Sequence, residues 1–128
     1  MLTEIAAYLA AKGIGTLGTD LFAAFMPDQP NNCIALFEYA GSPMELTMGD
    51  DDPVLERPGL QVKVRNTDYQ TGKAKIDDTV DALHGLANQT LSNTRYLLIK
   101  ANQSPESMGL DANWRSEFVV NFSVLKER

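Results

Sequence analysis

The stretch LQVKVRNTDYQTGKAKIDDTVDAL, residues 60–83, decides the fold, because its apolar period changes midway from two to about 3.6. Leu60, Val62 and Val64 alternate with Gln61, Lys63 and Arg65, the pattern of a half-buried strand. Asp68 then stands where a helix cap is expected. Tyr69, Gly72, Ile76, Val80, Leu83 and Ala87 follow on one side of a helix, with Lys73, Lys75, Asp77, Asp78 and Asp81 mostly elsewhere. Gly72 on the apolar side lets the first helical turn approach a sheet closely. A half-buried strand running into an amphipathic helix predicts a sheet with that helix on one face.

The flanks supply the other strands. Leu2, Ile5, Ala6, Leu9 and Ala10 recur at helical spacing and Gly13 ends them, which gives a short N-terminal helix. The glycine-rich GIGTLGT, residues 13–19, has no preceding strand and no Gly-Lys-Ser/Thr, so it matches neither nucleotide-binding fingerprint. DLFAAF, residues 20–25, reads as a strand closed by the turn cluster Met26–Asn32. CIALFEY, residues 33–39, reads as a strand buried on both faces, with Cys33 a structural thiol. Residues 40–59 hold three prolines, three glycines and Asp50-Asp51-Asp52, and are expected to form a long acidic loop at about 41–59. TRYLLIKA (94–101) and residues 116–125 complete the strands, with residues 102–113 a loop between them. The expected architecture is α+β, in the order α-β-β-β-α-β-β. It is a single small domain over residues 1–128, with a mixed or antiparallel sheet of about five strands.

Composition excludes several functions. One cysteine permits no internal disulfide, and with one histidine it leaves little for zinc sites or nucleophilic triads. No apolar run approaches the roughly 18 residues that span a bilayer, so no membrane partner is expected. Glu4 stands where a signal peptide would carry positive charge, which makes a soluble intracellular protein the expectation. A pI near 4.6 argues against sequence-specific DNA binding. The acid is uneven: residues 1–59 carry nine acidic against two basic side chains, while residues 60–128 carry eight against nine. Such a split is a solvated face or a basis for head-to-tail contact between copies.

Candidate chemistry is sparse. Asp50, Asp51 and Asp52 could recruit a divalent cation for phosphoryl transfer, but they lack the alternate spacing of a calcium loop. A solvated acidic tip is the favoured reading. Lys63 and Arg65 point away from the core together, either into solvent or toward acid on a neighbouring subunit. Trp114 and Arg115 either stack on a partner or, for Trp114, plug the end of the core. No catalytic residue, cofactor or metal is expected, and the protein is read as non-enzymatic.

Three segments together carry a resemblance. They are GTLGTDLFAAFMPDQPNNCIALFEYAG (15–41), PGLQVKVRNTDYQTGKAKIDDTVDALHG (58–85) and LIKANQSPESMGLDANWRSEFVVNFSV (98–124). In this order they resemble the tailed-bacteriophage minor capsid proteins that are similar to siphophage tail terminator (tail completion) proteins. The resemblance implies a structural virion protein of the tail and neck, present in the host cytoplasm during assembly. It would form a ring, expected to be a hexamer, that caps the head-proximal end of the tail tube. Implied partners are further copies of the chain, the major tail tube protein and the head–tail connector or stopper protein. DNA would pass through without sequence-specific binding. A neck or connector (stopper) subunit is the alternative. The motifs contain no active site, so the residues singled out are contact candidates: Asp50, Asp51, Asp52, Glu56, Arg57, Lys63, Arg65, Trp114 and Arg115.

Overall fold

The structure is a computed structural model that describes residues 1–46 and 53–127. Its elements in chain order are α1 (Leu2–Ala11), β1 (Leu21–Ala23), β2 (Cys33–Leu46), β3 (Pro53–Asn66), α2 (Tyr69–Leu83), β4 (Leu86–Leu91), β5 (Thr94–Ala101), β6 (Glu106–Leu110) and β7 (Ser116–Glu127). The strands form one sheet in the order β1-β2-β3-β7-β5-β4, with β6 also paired to β7. Only β1 and β2 run parallel; every other pair is antiparallel. The class is α+β, as the period change at residues 60–83 requires.

The alternation in β3 sets the core. Leu60, Val62 and Val64 lie beside Phe122, Val120 and Phe118 of β7 and beside Leu36 and Ile34 of β2, all buried. Both helices cover this face: α1 supplies Ile5, Ala6 and Leu9, and α2 supplies Ile76 and Leu83. Asp68 caps α2 through the Thr71 amide, 3.1 Å from Oδ2. Gly72 faces the sheet as its position in the stripe requires. A Cβ there would sit 2.8 Å from the Phe118 ring and 3.0 Å from Asn66 Cβ.

Three expectations are corrected. The loop expected at 41–59 is, where described, the outer arms of the β2–β3 hairpin, with Ser42 opposite Arg57 and Leu55 opposite Glu45. Its glycines mark close backbone approach: a Cβ on Gly41 would lie 1.9 Å from the Arg57 carbonyl oxygen, and Gly59 lies under the Tyr39 ring. The helix ends at Leu83, before Ala87. Gly85 turns the chain at φ 82°, and Leu86 starts β4. Residues 106–110 are not loop but an edge strand held by backbone pairing to β7. Among the described residues the sheet therefore has seven strands, against about five expected. No helix among the described residues is long and apolar enough to cross a membrane.

Candidate functional site

The helix-free face of the sheet is where Gln61, Lys63 and Arg65 project, and the structure separates their fates. Arg65 is 5% exposed, covered by the Met26–Asn32 turn. Its Nη2 donates to the carbonyls of Pro27 at 2.6 Å, Pro30 at 2.8 Å and Asp28 at 3.2 Å, and its Nε to that of Asn31 at 3.1 Å. Side chains from outside this two-proline turn hold it, and the Arg65 guanidinium supplies four of those bonds. Lys63 stays half-buried, its ammonium 5.6 Å from the centre of the Phe37 ring. The pair is thus no uniform basic stripe.

Arg115 joins the same cluster from the far side. It is also 5% exposed, and it donates to Asp111 Oδ2 at 2.7 Å, Asp28 Oδ1 at 2.9 Å and the Asp28 carbonyl at 2.6 Å. Burial works against its charge, but the two carboxylates outweigh that and raise its pKa. The Arg115 and Asn113 amides and the Arg115 side chain in turn hold the Asp111 carboxyl below its usual range. Cys33 lies beneath this cluster at 4% exposure. Burial pushes its thiol up despite Arg65 and Arg115 nearby, as suits a structural thiol rather than a nucleophile.

Trp114 does the opposite of plugging the core. It is 78% exposed and sits at φ 61° in the turn Asp111–Arg115. Its amide donates to the Asp111 carbonyl at 3.1 Å, and Asp111 Oδ1 accepts the Asn113 and Arg115 amides, each at 2.9 Å. Met108 and Leu110 on β6 are exposed nearby in the chain, at 53% and 56%. The other contact candidates fall elsewhere. Glu56 pairs with Lys126 on the neighbouring β7 at 3.0 Å, and Arg57 is exposed on the hairpin arm. Asp50, Asp51 and Asp52 lie outside the described residues. Among the described residues, no three His, Cys, Asp or Glu side chains converge on a possible metal site.

A groove of about 470 Å³ opens on the helix-free face, between the hairpin arms and the C-terminal half of β7. Tyr39, Pro58, Leu98, Leu125, Arg57 and Lys100 are among its lining residues. Tyr39 donates its hydroxyl to the Phe122 carbonyl at 3.0 Å and accepts from the Asn102 amide at 2.8 Å, which fixes one wall. Asp28, Asp111 and the turn carbonyls could not be picked out in the sequence as partners of Arg65 and Arg115. They are 34 to 87 residues away, except Asp111, whose spacing of four before Arg115 was the one local signal.

The exposed apolar side chains of β6 and the Asp111–Arg115 turn thus lie at one end of β7, and the groove lies at the other. The family model described as bacteriophage tail terminator protein matches residues 8–128, and the chain belongs to that family. It is therefore a structural protein of the phage tail. Among solved structures, a chain from the virion of a native gene transfer agent (GTA) particle is similar over 97% of this chain and 84% of its own. The TM-score is 0.60 at 18% identity, a likeness of fold. No curated protein matches.

Proposed function

We propose that the protein caps the head-proximal end of a phage tail tube as a ring, a hexamer, and joins that end to the head–tail connector. The family membership over residues 8–128 carries this reading. The physical features agree with it. Edge strands β1 and β4 bound the sheet, β6 is fully exposed, and an exposed edge is a template for a neighbour. Residues 1–59 carry a net charge of −7, against +1 for residues 60–128. An acidic lumen repels phosphates and lets DNA pass without being held. The acidic segment at residues 49–57 is assigned to the tube or connector, and Lys63 to acid on a neighbouring copy. The protein acts by surface complementarity and catalyses no reaction.

The test is location. Tails assembled with a tagged copy of the chain should carry the tag at one end of the tube, at the level that meets the connector. Tag density on the connector of tail-free heads would instead make it a connector subunit.

A further inference from the structure

The exposed apolar side chains Met108, Leu110 and Trp114 lie on β6 and the turn after it, at 53%, 56% and 78% exposure. Trp114 is a bulky residue in the left-handed region, an uncommon conformation that the Asp111 hydrogen bonds over-determine. These bonds fix the backbone that presents the indole, so docking has only the side chain itself to order.

The groove between Tyr39, Pro58, Leu98 and Leu125 is the matching concavity. It lies near Ser123–Leu125, and Trp114 precedes Ser116. The eight steps of strand from Ser116 to Val124 span about 26 Å, so Trp114 cannot reach the groove of its own subunit. Charge adds to the fit. The exposed Lys100 is among the groove's lining residues. Glu106 is exposed on β6, while the Asp111 carboxylate is taken up by Arg115. An indole face also accepts a lysine ammonium through a cation–π contact, and tryptophan is the residue type most often found at the energetic centre of an interface.

We propose that Trp114 of one copy docks into the Tyr39–Leu98–Leu125 groove of the next copy. Knob and groove are different surfaces of one molecule, so the contact is heterologous and, repeated with rotation, closes a ring. This rests on the ring reading above and names the contact that builds it.

A chain carrying both Ala112→Cys and Ser42→Cys, with Trp114 kept in place, tests it by mild oxidation, since Ala112 is exposed beside Trp114 and the native Cys33 is buried at 4% exposure. A ladder of disulfide-linked multimers on a non-reducing gel is expected, while each single substitution stops at dimers. Trp114→Gly relieves the left-handed backbone, so the monomer should melt at or above the parent while ring assembly needs at least a tenfold higher concentration. A double-cysteine chain that forms rings but yields no ladder, or a Trp114→Gly chain that assembles at the parent's concentration, would overturn the knob-and-groove contact and leave the ring reading standing. A parent that stays monomeric with and without the tube protein would remove both.

Discussion

Replacing Arg65 with alanine removes the fork that holds the Met26–Asn32 turn. Three of its protons can be satisfied at once, by the carbonyls of Asn31 at 3.1 Å, Pro27 at 2.6 Å and Pro30 at 2.8 Å. Hydrogen bonds to a charged group contribute about 1.5–3 kcal/mol each. The turn is partly exposed, so the freed carbonyls recover some hydration and the net loss is about 3–5 kcal/mol. Unfolding entropy near 2.1 cal/mol/K per residue gives about 0.27 kcal/mol/K for a chain this long, so Tm should fall by about 10–20 °C. Lys63→Ala loses only a half-exposed cation–π contact of about 0.5–1 kcal/mol, a fall of about 2–4 °C. Differential scanning calorimetry of the two variants and of Arg65→Lys, which keeps the charge without the fork, makes the comparison. An Arg65→Ala midpoint within 3 °C of the parent, or one equal to that of Lys63→Ala, would refute the reasoning. Charge reversal at Arg65 is accordingly expected to damage the monomer, so Lys63→Glu alone is the substitution suited to probing contact between copies.

Three further outcomes follow from the packing. Glu4 accepts the Tyr96 hydroxyl at 2.7 Å and the Thr94 hydroxyl at 2.5 Å, tying α1 to β5. Glu4→Ala leaves the buried Tyr96 hydroxyl unpaired and should cost about 1–3 kcal/mol by urea denaturation. Burial raises the Glu4 carboxyl, but the two hydroxyls outweigh that and bring it below its ordinary value of 4.5. The stabilisation is thus complete above about pH 4.5 and is lost as pH falls through the folded value. The parent–variant difference should narrow only on the acid side. Gly72→Val drives side-chain atoms into the Phe118 ring and should cost about 1–3 kcal/mol, against little change for Gly13→Asn, which keeps a left-handed turn in open space. Cys33 should react with a thiol reagent at the rate of unfolding, with a fast native phase excluded by its burial.

The sequence makes the core legible because the core is periodic. Leu60, Val62, Val64 and the Asp68–Leu83 helix repeat at intervals that only one local geometry satisfies. β6 and β4 escape such reading for the same reason. Residues of β6 are all exposed, and in β4 only Leu86 and Leu91 are buried, so neither strand prints an alternation. Residues 40–59 mislead through their prolines and glycines, which here serve close cross-strand approach at Gly41 and Gly59 rather than chain reversal. The contact residues divide along similar lines. The exposed Trp114 stands out in sequence as the chain's sole tryptophan. That Arg65 and Arg115 turn inward depends on carbonyls of a distant turn, which no local pattern announces.

Native mass of the purified chain, alone and with the major tail tube protein, tests the ring most directly. The expected result is a discrete closed multimer, six times the 14.1 kDa of the chain, formed alone or on mixing with the tube protein. A 14.1 kDa monomer under both conditions would contradict it.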